Sequence, residues 1–275
     1  MTYKSKWRWI NLCAFAAMVL VNILANVIPI GGKTTNEISA MYPSPLTPAP
    51  FAFSIWAVIY IGLAAMIAVQ LFRSQTDNSG DSLADRIGPW FLISSIANIT
   101  WLMCWHLDLQ SAAIVFMFVL LAALVFLNKA VTRETDTWQQ RWLVRLPVRM
   151  YFAWITVAAI SNVSVWLMSV GFTGFGIDSG IWQIAVLLIG GVILTLGISK
   201  NNSVGYGLTA MWGYAGILTR HMAPDMLASA YPWTIAAGFV CEAAFLIATL
   251  NAFRPNMPLL CVCKGRTDQH PSGNE

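Results

Sequence analysis

The chain has 275 residues, of which 57% are hydrophobic and only 10% charged, with a formal net charge of +4. A soluble domain carries roughly 25% charged residues on its surface. This composition therefore excludes a soluble enzyme, a disordered chain and a disulfide-rich secreted module, and leaves an all-α polytopic membrane bundle.

A helix needs about 20 mostly apolar residues to cross the hydrocarbon core. Eight segments meet that length closely enough to be read as spans: 9–30, 51–72, 89–107, 110–128, 146–170, 181–199, 203–219 and 233–253. The third and fourth are so close in sequence that they must form a tight hairpin. The seventh is short and glycine-rich, and a seven-span alternative makes it re-entrant. With the N-terminus in the cytoplasm, all but Lys33 and Arg220 of the 16 Lys and Arg residues fall inside. By the positive-inside bias both termini are expected to be cytoplasmic, as in a bacterial inner (plasma) membrane protein.

The first span follows the basic stretch Lys4 to Arg8. It is too long for a signal-peptide core, and no convincing small-residue cleavage site follows it, so it is expected to be retained. Cys13, Cys104 and Cys241 lie inside spans and read as small hydrophobes. Cys261 and Cys263, with a distant His270, fall short of a metal-binding set. Acylation near the membrane is an equal reading of that pair. The loop from Lys129 to Arg149, with Trp138 and Trp142, reads as a cytoplasmic anchor with interfacial aromatics, not as a nucleic-acid site. The tail 255–275, with its prolines and glycine, is expected to be disordered.

Polar and aromatic residues on one face of a span point to the bundle interior. Spacings of three, four, seven and eleven align Asn11, Asn22 and Asn26 on the first span, and Phe53, Trp56 and Tyr60 on the second. They also align Phe91, Ser94, Asn98, Trp101 and Trp105 on the third, and Tyr151, Trp154, Ala158, Asn162 and Trp166 on the fifth. One reading is interhelical glue, at about 1 kcal/mol per amide hydrogen bond. The other is an aromatic-walled ligand pocket with a few polar anchors. Trp7, Trp9, Trp90, Trp138, Trp142, Trp182 and Trp233 lie near span ends and read as an interfacial belt, so they are set apart from the pocket.

These runs resemble the TspO family of tryptophan-rich sensory proteins, which includes the mitochondrial translocator protein (the peripheral benzodiazepine receptor). The matching residues are Leu46-Thr47-Pro48, Phe53 and Trp56-x-x-x-Tyr60 in the second span, and Asn98-x-x-Trp101 with Trp105 in the third. The fifth span adds Tyr151, Trp154, Asn162 and Trp166. The likeness runs from about Trp9 to Val170. Thr47 and Met150 stand where the family often has proline. The division it suggests is a five-helix bundle over 1–170, a three-helix addition over 171–254 and the tail. The resemblance implies an interior that binds flat hydrophobic ligands, tetrapyrroles or sterols, with no required cofactor but a porphyrin- or haem-like guest. It also implies that the 31–49 loop, with Tyr42, Pro43, Pro45 and Pro48, caps the cavity. The expected partners are the lipid bilayer and a small hydrophobic ligand; a homodimer stays open.

Glu242 is the one acidic residue deep in a span. An ionised carboxylate there costs about 2.5–3.5 kcal/mol, so it is expected to be protonated, paired or facing water. Candidate partners are the first-span asparagines and Tyr206. With Asn22 and Asn26 it is a candidate proton or ligand anchor, which supports an alternative reading as a proton-coupled transporter of a small hydrophobic solute. No inverted repeat accompanies it. A third reading is a porphyrin-degrading enzyme, for which the sequence offers no nucleophile–base pair and no metal cluster. Gly205, Thr209, Gly213 and Gly216 place small residues on one face of the seventh span, which predicts close helix packing there.

Overall fold

The computed structural model describes residues 6–28, 32–33, 37–38, 41–42, 44–72, 82–132 and 137–253. The tail with Cys261, Cys263 and His270, the loop residue Pro43, and Lys4, Arg73, Arg133 and Arg254 lie outside the described residues, as does the side chain of Asn26. The described chain is helical throughout. Its long helices are α1 (Trp7–Val27), α2 (Ile55–Phe72), α3 (Leu83–His106), α4 (Gln110–Thr132), α5 (Leu146–Ser169), α6 (Ser179–Asn201), α7 (Val204–Met222) and α8 (Pro232–Phe253). All eight predicted spans are therefore present as helices. A tight turn, Pro50–Ser54, leads into α2, and a widened turn, Gln140–Arg145, leads into α5.

The ends differ from the hydropathy reading for local reasons. Ile28 leaves the helix at φ −115° and ψ 102°, because the residue before a proline is driven out of helical geometry. Helix α3 starts at Leu83, six residues before the apolar run, because Ser82 and Asp85 form a reciprocal cap. The Ser82 hydroxyl accepts from the Asp85 amide at 3.3 Å, and the Asp85 carboxylate accepts from the Ser82 amide at 3.2 Å. Ser82→Ala is expected to cost about 0.5–2 kcal/mol, seen as a lowered thermal midpoint in detergent. Ahead of α5, Pro147 has no N–H to offer the carbonyl one turn back, and the backbone widens over the preceding turn. Asp178 and Ser203 cap α6 and α7 by accepting from the amides of Gly180 and Tyr206.

Seven of the helices are long and apolar enough to cross a membrane. Helix α7 is the exception in composition, since Gly, Tyr, Thr and Trp interrupt its apolar residues and Arg220 and His221 occupy its last turn. It is nonetheless one unbroken helix of 19 residues, about 28 Å at 1.5 Å per residue, and not a re-entrant loop. The α3–α4 hairpin turns over Leu107 to Leu109, with Asp108 at φ +58°.

Two apolar cores lie side by side. Met18, Ile59, Leu63, Phe91, Leu120, Leu124 and Val148 belong to the first, which α1 to α5 enclose. The second is built by Leu187, Leu194, Tyr214 and Phe245 of α6 to α8, with Ala153 and Val157 of α5 and Leu46 from the loop before α2. Helix α5 serves both cores and is the centre of the molecule. The outward faces carry Leu20, Ile61, Val115, Ile189, Val240 and Ile247, all at least half exposed, as suits a surface whose solvent is lipid.

Close approach of α7 follows the predicted small-residue face. An added Cβ at Gly213 would meet Val157 of α5 at 2.8 Å. One at Gly216 would meet the Cβ atoms of Ala52 and Pro48 at 2.7 and 3.0 Å. The Gly205 position abuts Leu146.

Candidate functional site

The segment before α2 is a strap wedged between α5 and α7. Leu46 and Ala49 are buried, the Leu46 carbonyl accepts from the Ser161 hydroxyl at 2.7 Å, and the Ser44 hydroxyl donates to that of Ser164 at 2.8 Å. On the other side the Ala49 amide donates to the Gly216 carbonyl at 2.9 Å, and the Trp212 indole N–H donates to the Ala52 carbonyl at 2.9 Å. Phe51 meets the Trp212 ring edge-on at 5.4 Å. Nearby, Tyr42 donates to Asp108 of the α3–α4 turn at 2.8 Å, which raises the phenol above its ordinary value because the carboxylate holds the proton.

Beneath the strap lies a cavity of about 40 Å³. Thr47, Pro48 and Phe53 form its strap side, Trp56 comes from α2, Trp101 and Trp105 from α3, and Trp154 and Asn162 from α5. The rings meet as walls rather than as a stack: Trp154 presents an edge to Phe53 at 5.9 Å and to Trp56 at 6.4 Å, near 84° and 82°. The Trp101 indole N–H donates to Asn162 Oδ1 at 2.8 Å, and Asn162 Nδ2 donates to the Ala158 carbonyl at 2.9 Å. Three other lining residues bury a polar atom that has no hydrogen-bond partner among the described residues: Thr47 Oγ1, Trp105 Nε1 and Trp154 Nε1. An unpaired buried donor costs about 1–3 kcal/mol, so three at one small cavity are an unusual concentration.

Six of the ten ring and amide residues expected at the pocket line this cavity: Phe53, Trp56, Trp101, Trp105, Trp154 and Asn162. The other four do not. Asn98 is fully buried in a chain of bonds across α1, α3 and α5. Asn22 donates to Asn98 at 2.8 Å, Asn98 donates to the Tyr151 hydroxyl at 3.2 Å, and that hydroxyl points to the Met18 sulfur at 3.9 Å. Tyr60 stacks against Trp56, at 5.2 Å and 23°. Trp166 sits at the rim, where its indole donates to Ser111 of α4 at 3.2 Å. Asn11 turns the other way and donates to Gln70 of α2 at 2.8 Å.

Glu242 belongs to a different place. It lines a groove on the outer side of α7 and α8, and its Oε1 has no partner among the described residues. Among the described residues, the bonds expected to Asn11, Asn22 or Tyr206 are not made: Asn22 and Asn11 bond within the first core, and the Tyr206 and Thr156 hydroxyls face each other at 3.3 Å. Ser161 and Val165, which also line the cavity, continue the 154–158 line at helical spacing and could have been read from it. Trp212 had no such signal, because its partner Ala52 is 160 residues away in the chain.

Length, hydropathy and helix packing thus define an integral membrane helical bundle with an aromatic chamber under a proline-bearing strap. A family model described as TSPO-like protein matches residues 8–250, and the chain belongs to that family. The match continues past Val170 through α6, α7 and most of α8, so the likeness is not confined to the first five helices. Neither the curated proteins nor the solved structures give a match to the chain.

Proposed function

We propose that this membrane protein binds a flat hydrophobic guest, a tetrapyrrole or sterol-like molecule, in the aromatic chamber under the strap. The observation that carries the reading is the set of three unpaired polar atoms, on Thr47, Trp105 and Trp154, among the aromatic walls of one cavity. Rings supply faces and edges for a planar body, and the unpaired donors suit acceptor groups at its periphery. At about 40 Å³ the chamber has room for a water or two, whereas ligand pockets usually measure about 300–1,000 Å³. The described form is therefore closed, and the guest enters by displacing the strap that contributes Thr47, Pro48 and Phe53. The Lys/Arg bias of the connections supports a bacterial inner membrane with both termini on its cytoplasmic side.

The test is a cavity-filling variant. Ala158 lines the chamber, and Ala158→Val adds two methyl groups to it. Purified protein titrated with protoporphyrin IX, followed by the shift of the porphyrin absorption band, is expected to show one saturable site. In Ala158→Val that affinity is expected to fall about tenfold or more while the melting temperature stays within a few degrees, because filling a void is tolerated. Unchanged affinity in a stably folded Ala158→Val protein would place the guest elsewhere.

A further inference from the structure

Helices α7 and α8 form a groove of about 410 Å³ on the exterior of the bundle. Its walls include Leu208, Met211, Trp212, Leu218 and Phe239, and its single acidic group is Glu242. Leu208 and Phe239 are more than half exposed, and Leu246, half exposed one turn beyond Glu242 on the same helical face, continues the apolar surface, so the groove opens to the bilayer. Glu242 stands at the midpoint of the 22-residue α8, at the depth where a charge is most costly.

No counter-charge accompanies it among the described residues. The titratable groups near enough to feel the Glu242 charge are Cys241 of its own helix and Tyr214 of α7, both of which point into the second core. The Tyr214 hydroxyl is already engaged by the Leu187 carbonyl at 2.8 Å. The basic residues of the helices packed against α8 are Lys200, Arg220 and His221, all in last turns. The Trp212 ring is fixed as a wall, since its N–H is held by the strap carbonyl of Ala52 and its ring by Phe51.

The geometry points to a second binding site here, for a lipophilic organic cation that reaches the groove from the bilayer. The cation neutralises Glu242, its charge lies against the faces of Trp212 and Phe239, and its apolar body covers Leu208 and Met211. A ligand bearing a hydroxyl would find one polar group and no second partner, whereas a quaternary cation needs none. Binding displaces the carboxyl proton, one proton released for one cation bound.

Tetraphenylphosphonium is the probe, measured by calorimetry on the purified full chain across about pH 5 to 9, with neutral triphenylphosphine oxide beside it. One saturable site is expected, tightening by up to about tenfold per pH unit while the carboxyl is protonated and levelling off above. Glu242→Gln is expected to weaken binding at least tenfold and to remove the pH dependence. Phe239→Ala, on the exposed face, is expected to weaken it about three- to tenfold. Porphyrin affinity is expected to be unchanged in both variants, because neither residue lines the aromatic chamber. Phosphonium binding that ignores pH in the wild type, that survives Glu242→Gln, or that the neutral oxide equals would overturn the assignment.

Discussion

Trp154→Ala is expected to lower stability by about 3–5 kcal/mol, the largest effect of any single truncation in the first five helices. Trp154 is 2% exposed and braces the strap through Phe53 and α2 through Trp56. Its removal forfeits two edge-to-face contacts and leaves a void continuous with the chamber. In thermal melts in detergent the midpoint is expected to drop on the order of 10 °C. The same variant tests the shape of the chamber. Free indole fits the space the side chain vacates, and at about 100 times its dissociation constant a ligand selective for the folded state adds about 2.7 kcal/mol. Indole is therefore expected to raise the melting temperature of Trp154→Ala well above any rise in the wild type, whose closed 40 Å³ chamber offers indole no ready-made space until the strap is displaced. An equal rise in both proteins would mean that indole acts elsewhere.

How far the sequence foretold this arrangement depends on the range of the interaction. The spans were legible because hydropathy is a local property, and all eight fell on helices. Helix starts were not, because the cap that opens α3 is made by Ser82 and Asp85, polar residues outside the apolar run. Helical spacing placed Trp56, Trp101, Trp105, Trp154 and Asn162 on inward faces correctly. It could not divide chamber from scaffold. Asn98 and Tyr151 lie on the same stripes as Trp101 and Trp154, and what turns them into a structural bolt is Asn22 on another helix. Glu242 shows the opposite error: its depth was readable, but a lone acid carries no periodicity to show which side of α8 it occupies. The hold of α7 on the strap was the least legible feature. Glycine spacing announced a close approach, but the strap that fills it is distant in the chain.

That approach makes Gly216→Val the second large prediction. The first added carbon alone would lie 2.7 Å from the Ala52 Cβ and 3.0 Å from the Pro48 Cβ, and the two γ-methyl groups would press further. Helix α7 is held against α5 at Gly213 and Gly205, so the strap has to yield rather than the helix. Lifting it breaks the Ala49–Gly216 and Trp212–Ala52 hydrogen bonds and withdraws Thr47, Pro48 and Phe53 from the chamber. Overpacking of this kind costs about 1–3 kcal/mol, with each orphaned backbone group adding about 1–3 kcal/mol more. The structural consequence can be read directly with a Thr47→Cys reporter, in a background where the five native cysteines are replaced. Thr47 is 5% exposed, so the reporter thiol is expected to resist maleimide while Gly216 is present and to react at least tenfold faster in the Gly216→Val background. Porphyrin association is expected to quicken in parallel, because the same displacement that exposes the reporter thiol opens the strap-side wall of the chamber. Faster labelling without faster association would show that the guest does not enter past the strap, and unchanged labelling would show that α7 does not hold it.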